Sequence, residues 1–369
     1  MKTIAVVYSP GLGGRWHVRN VGLEPGPDRR FVHIFVGTPD PDLLEAVTAH
    51  GLPCAEVPFG SRIDLPRAVL AARRFLREQD VDLVHAHGMQ GTTVSLLAAL
   101  MAGVRERLHT RHHGSGNHDA GEQRGIWYDR LNNHLSTRII ATSEITRECL
   151  ISMEGVAPER VRILGYRFDF GQFREVSDHR LTAVRRAHDI PEDRFVIGMV
   201  SRFVELKGID HGIEAFRGLL EHVEDAVLVL ANAVGPHGSV LRSALASLPP
   251  DSYREVAFEP DAGALYRSFD MLLHLPVTRT YEGWGQTYVE APAAGVPMVC
   301  TRSGIATEHH QDGRHCLFVP YCDPGATLVA MRRIIDDSGL RDRLVANGVE
   351  VTERFAFDPD EDLLGPVYD

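Results

Sequence analysis

Short apolar runs alternate with stretches of helical periodicity along nearly the whole chain. Residues 3–8, 31–36, 82–85, 107–110 and 138–142 are runs of this kind, bounded by glycine or polar clusters, and they predict strands. Helical patterns lie between them, so the first half predicts a doubly wound α/β domain with a parallel sheet. A second alternating set starts at 195–200 and continues through 226–231, 256–258, 271–275, 297–301 and 316–319. After a further predicted strand at 161–164, the polar, charged segment 166–194 separates the two sets. The fold class is therefore α/β with two Rossmann-like, doubly wound parallel-sheet domains, and no repeat of solenoid period interrupts them.

Candidate chemistry concentrates in residues 281–301, YEGWGQTYVEAPAAGVPMVCT. The run 271–275 predicts a buried strand, residues 276–281 a loop, and a helix is expected from near Gly285. Gly295 is placed to stop that helix in a left-handed cap before the strand at 297–301. Ligands of parallel sheets sit at the carboxyl ends of the strands, where helix N-terminal amides receive phosphates. Glu282 falls in such a crevice, and Glu290, about a turn and a half into the helix, faces the same way. Gly283 and Gly285, on either side of Trp284, let main chain approach a ligand that a Cβ would exclude. Pro292 cannot bond the Tyr288 carbonyl, so the helix should kink or shorten there.

A second strand-to-helix loop carries cations. Residues 195–216, FVIGMVSRFVELKGIDHGIEAF, predict a strand, a loop and a helix opening near Gly208 with Ile209, Ile213 and Phe216 on its apolar face. Arg202 and Lys207 project from the loop, where cations can meet a diphosphate. Lys207 is conspicuous, because Lys2 is the only other lysine among 39 basic residues.

Together the Glu282/Glu290 spacing, the EGWG opening, the EAPAAGVP sequel and the Arg202/Lys207 loop resemble the signature of the retaining glycosyltransferases of family four, the glycogen-synthase-like enzymes with the GT-B fold. The resemblance implies two Rossmann-like domains facing across a cleft. An acceptor domain would span 1–170, a nucleotide-sugar donor domain 171–350, and a segment 351–369 would cross back to the first. It implies that Glu282 contacts donor-sugar hydroxyls, that Glu290 binds the nucleotide ribose, and that Arg202 and Lys207 hold the donor diphosphate. Gly283, Trp284 and Gly285 would line the donor site. Gly13 and Gly14 of the N-terminal PGLGGRW loop are its further donor candidates, and His112 or His113 would contact the sugar. Pro292 stands where the family often has Met. Residues 304–308, GIATE, resemble the family's glycine-rich loop with one residue more than the common spacing. The implied activity is metal-independent, retaining transfer of a hexose-type sugar from a nucleotide-diphosphate co-substrate, without a cofactor, to an unidentified metabolite, lipid or glycan acceptor. A sugar-nucleotide epimerase or hydrolase, or a non-catalytic sugar-nucleotide-binding protein, could use the same fold.

Composition narrows the partners. A net charge of −11 argues against nucleic acid. Five scattered cysteines without a paired spacing read as thiols of a reducing compartment, and the apolar start is too short for a signal peptide or a membrane span, so a cytoplasmic location is expected. Nineteen histidines invite a metal reading, but no His spacing of known ligand geometry appears. Asp40 and Asp42 precede a helical pattern and read as helix-start charges. From 65 to 78, Leu65, Val69, Ala72 and Leu76 lie on one face and Arg67, Arg73, Arg74 and Arg77 on another. Such a helix can meet anionic lipid, although a solvated arginine face is the more ordinary explanation.

Overall fold

The computed structural model of the chain describes residues 1–10, 28–358 and 365–368. They form two compact units, Met1–Arg167 with Asp358–Asp369, and Phe168–Phe357. Gly13 and Gly14 lie outside the described residues.

In the first unit seven parallel strands, β1 (Lys2–Tyr8), β2 (Arg29–Val36), β3 (Cys54–Val57), β4 (Leu83–His87), β5 (Glu106–Arg111), β6 (Arg138–Ala141) and β7 (Val161–Ile163), lie in the order β3-β2-β1-β4-β5-β6-β7. The central strands are mostly apolar because both faces of the sheet are covered. Ile4, Val6 and Tyr8 enter one core with Leu43 and Val47. Ala5 and Val7 enter the opposite one, with Val69, Ala72 and Leu76 of the helix Leu65–Glu78. Arg67, Arg74 and Arg77 of that helix point into solvent. Asp40 caps the helix Pro41–Ala49, accepting from Leu43 N at 3.1 Å. Near the C-terminus Tyr368 is buried in the first of these cores, and Lys2 Nζ donates to its carbonyl at 2.6 Å. The sequence pattern misses β3, a short, mostly half-exposed edge strand with no apolar run.

The second unit holds β8 (Val196–Val200), β9 (Val227–Ala231), β10 (Tyr253–Val256), β11 (Met271–His274), β12 (Met298–Cys300) and β13 (Leu317–Phe318), parallel and in the order β10-β9-β8-β11-β12-β13. The strand expected at 256–258 sits earlier. As an edge strand it buries only Val256, and Phe258, counted as part of the run, is 72% exposed. The winding direction reverses between β8 and β11, and the open-sheet rule puts a ligand beyond the carboxyl ends of those two strands.

Candidate functional site

Both loops that carry the predicted chemistry leave the sheet at that reversal. After β8 the chain turns through Glu205–Lys207 and enters the helix Ile209–Leu219, with Ile209, Ile213 and Phe216 buried as expected. After β11 it runs through Pro276 to the motif. The two loops are joined directly, for Val277 N donates to Leu206 O at 3.2 Å. This tie brings Lys207 Nζ to 2.5 Å from Glu282 Oε1 across 75 positions of sequence. The Lys207 ammonium also lies 5.3 Å from the centre of the Tyr281 ring.

A third group joins the pair. His274, the last residue of β11, sets Nε2 at 3.2 Å from the same Oε1, an electrostatic contact off line for a hydrogen bond. Its imidazole is buried, with the Tyr288 ring edge-on at 4.7 Å. Burial works against the Glu282 carboxylate, but the Lys207 ammonium, with the polar edge of His274 beside it, outweighs it and holds the carboxyl well below its usual range. Burial lowers the His274 pKa, with Glu282 opposing and Lys207 adding to it, so the ring is neutral near pH 7. Oε1 is thus engaged twice, whereas Oε2 has no bond among the described residues and the side chain keeps 11% of its surface open. The carboxylate presents one oxygen. His274 has no signature in the sequence, where it lies within the ordinary apolar run 271–275.

Backbone geometry fixes the motif from below. Glu282 N donates to Ser303 Oγ at 3.2 Å, and Ile305 N donates to Trp284 O at 3.0 Å. Gly304, at φ +53°, leaves room for this. A Cβ there would stand 2.4 Å from Trp284 O and 2.9 Å from Glu282 Cβ. The 304–308 resemblance therefore has a structural role beneath the carboxylate. Trp284 is buried between Phe168 and Phe355, each ring centre 5.1 Å away. Gly285 takes φ +87°, where a Cβ would meet the Tyr288 ring at 2.7 Å.

The helix is short, Thr287–Ala293, and Gly295 ends it at φ +72°. Pro292 leaves the Tyr288 carbonyl without its helical donor, and His310 Nε2 supplies one at 3.0 Å. The proline also packs against Gly348, whose missing side chain allows the helix Ser338–Glu353 to approach, since a Cβ would lie 3.1 Å from Pro292 Cβ. Glu290, one turn into the short helix, accepts from the buried Tyr266 hydroxyl at 2.8 Å. Arg202 is exposed and makes no side-chain bond among the described residues, a free cation on the β8 loop.

His112 and His113 belong to the first unit, after β5. His112 Nε2 is 3.2 Å from His87 Nδ1, and Nδ1 meets the Tyr166 hydroxyl. Burial lowers its pKa to about 3, with His113 adding to the effect. His113 Nε2 is 3.2 Å from Asp129, part of a buried network in which Arg111 joins Asp129 and Glu154. His85 has both ring nitrogens occupied, at 2.8 Å from the Tyr368 hydroxyl and 2.8 Å from Thr110 Oγ1, and is a satisfied structural histidine. The structure thus brings Lys207 and Glu282 together, gives Glu290 a separate anchor, and leaves Arg202 free in solvent.

The chain matches the family described as "Glycosyl transferases group 1" over residues 182–351 and "Glycosyltransferase Family 4" over residues 27–165. It is 28% identical to a D-inositol 3-phosphate glycosyltransferase of Nocardioides sp., covering 85% of this chain and 72% of the relative. A second D-inositol 3-phosphate glycosyltransferase, from Corynebacterium kroppenstedtii, is 24% identical over 94% of this chain and 77% of its own. Among solved structures, Anabaena HepE in complex with UDP-glucose superposes with a TM-score of 0.79 at 19% identity, covering 96% of both chains.

Proposed function

The chain belongs to glycosyltransferase family four, with the GT-B fold, and from that premise we propose that it is a metal-independent, retaining enzyme that moves a hexose-type sugar from a nucleoside-diphosphate donor to an acceptor. The observation that carries the reading is the convergence of Lys207 and Glu282 beyond the ends of β8 and β11. The pair supplies opposite charges for the two ends of a sugar diphosphate. Lys207 and the free Arg202 stabilise the negative charge that grows on the departing nucleoside diphosphate, the largest demand in such a transfer. Glu282, with Oε1 held and Oε2 presented, fits a group that positions sugar hydroxyls better than one that must rotate to attack carbon. Glu290, fixed by Tyr266, takes the ribose. The histidine role carried by the resemblance goes to His112 or His113. Of the two, His113 keeps a ring nitrogen with no hydrogen bond among the described residues, so it is the first to substitute.

The test is a thermal-shift panel of UDP-, GDP-, ADP- and TDP-sugars with chelator present. A ligand at about 100 times its dissociation constant stabilises by roughly 2.7 kcal/mol. Stabilisation by one base, lost in Arg202→Ala and Glu290→Ala, supports the donor site. The stabilising donor is then incubated with inositol 3-phosphate, the acceptor named for the Nocardioides and Corynebacterium relatives, and the anomeric configuration of the product is read by NMR. An inverted product, or a dependence on divalent metal, overturns the corresponding part of the proposal. A folded protein that no nucleotide stabilises overturns the whole.

A further inference from the structure

Glu282 is gripped on its inner oxygen by two groups of different kinds, and one of them cannot stay if a donor binds as proposed above. We propose that His274 is a positioning residue that holds Oε1 of Glu282 and becomes its counter-charge, by taking a proton from solvent, when the donor diphosphate draws the Lys207 ammonium away. The inference rests on the donor reading of Lys207.

The geometry limits what His274 can do. Its ring is 1% exposed and Nδ1 is buried with no partner among the described residues, so its polar interaction on offer is with Glu282. The titratable groups that face it are few. Glu282 approaches from the loop after β11, with Oε1 at 3.2 Å from the ring, and Lys207 approaches from the turn after β8, at 2.5 Å from that shared oxygen. Tyr288 presents its ring, its hydroxyl committed to Thr301 O at 2.9 Å, and Cys300 is the β12 residue paired with His274 in the sheet. Burial holds both the phenol and the thiol neutral. Besides burial, the charge on His274 is therefore set by Glu282 and Lys207.

These two act in opposition. With Lys207 on the carboxylate, a second cation beside it is redundant and burial keeps the imidazole neutral. A diphosphate offers the ammonium two negative charges and several acceptor oxygens, a stronger partner than one carboxylate oxygen. Once Lys207 turns to it, Glu282 is a buried anion beside a neutral ring. Protonating the imidazole restores the pairing without moving the carboxylate, so Oε2 stays aimed while Lys207 changes partners. A histidine fits this task because small changes in its surroundings carry it across neutral pH.

Two experiments test it. Isothermal titration of UDP-glucose, then GDP-mannose, ADP-glucose and TDP-glucose, is run at pH 7.5 in buffers of different ionisation enthalpy. The expected slope is uptake of about one proton per bound sugar nucleotide, lost in His274→Asn while binding persists. Binding with buffer-independent heat overturns the inference and leaves the donor reading standing, as does an uptake that survives in His274→Asn. No binding by any of the four overturns both. In ligand-free protein, histidine-ring nitrogen NMR near pH 7 should show His274 neutral in the wild type and protonated in Lys207→Met, with the signal assigned by its loss in His274→Asn. A neutral ring in Lys207→Met overturns the inference whatever the donor proves to be.

Discussion

Separating Lys207 from Glu282 should destabilise the second unit in a way that neither residue alone predicts. The two side chains are 17% and 11% exposed with 2.5 Å between nitrogen and oxygen, so the pair is screened far less than a surface bridge. Breaking a fully buried pair by deleting one partner costs about 3–5 kcal/mol, because the other charge stays behind in low dielectric. Here His274 remains beside the carboxylate, so Lys207→Met should cost less, about 2–3 kcal/mol. Glu282→Gln keeps an acceptor for the ammonium and should cost about 1–2 kcal/mol. In the double variant no lone charge is left, and the cycle should return a coupling of roughly 1–2 kcal/mol. Urea unfolding followed by the fluorescence of Trp284, buried in the same unit, measures it in a Trp16→Phe/Trp127→Phe background, which removes the other two tryptophans. Acid supplies an independent axis. The Glu282 carboxyl lies below its ordinary value in the folded state. Its contribution is therefore complete above the unfolded carboxyl range, near pH 4.5, and is lost as pH falls towards the folded value. The stability gap between wild type and Glu282→Gln should narrow from about pH 6 to about pH 3. Additive single effects, within about 0.5 kcal/mol, together with a gap that does not change with pH, would refute the claim that the ion pair is formed and buried.

Four further outcomes follow from the same geometry. Tyr266→Phe removes the hydroxyl that fixes Glu290 and, because the loss acts on binding only through the placement of Glu290, should weaken nucleotide binding by about five- to tenfold in titration calorimetry, the size of one ordinary hydrogen bond. Gly304→Ala forces a Cβ against Trp284 O and Glu282 Cβ and should cost at least about 2 kcal/mol in chemical unfolding while lowering kcat. His310→Ala strands the Tyr288 carbonyl and should cost about 1–3 kcal/mol, a loss reduced in a Pro292→Ala background because the alanine brings the backbone N–H that proline lacks. In the first unit burial lowers the pKa of His85, His109 and His112 to about 3, which favours the neutral ring only when folded. Each contributes stability that is complete above the unfolded histidine value and is lost below about pH 6.5, at roughly 1.4 kcal/mol per pH unit. The melting temperature should fall between about pH 7 and about pH 5, and a flat profile would contradict burial of these rings.

Why some of this could be seen in the sequence and some could not has a physical explanation. Strands buried on both faces leave continuous apolar runs, so β1, β2, β8, β9 and β11 are legible to within a residue or two. The edge strands β3 and β10 carry no such run, which is why β3 was missed and β10 displaced, whereas the edge strands β7 and β13 still show short runs. The places of Glu282 and Lys207 on loops after strands were legible because each residue sits in a strand-loop-helix unit with its own glycine punctuation. His274 and His310 have no local signature. One acts at the end of an apolar strand, and the other answers a carbonyl orphaned 22 positions earlier. The proline shows how the two kinds of information meet. Its chemistry alone says that the Tyr288 carbonyl needs a new donor, and that the helix bearing Glu290 must be short. Only the fold says that His310 is that donor and that Gly348 is the space the ring fills. A substitution that looks like damage to the motif is thus absorbed by two distant residues, and Glu290, in the helix that the proline shortens, keeps its own anchor on Tyr266.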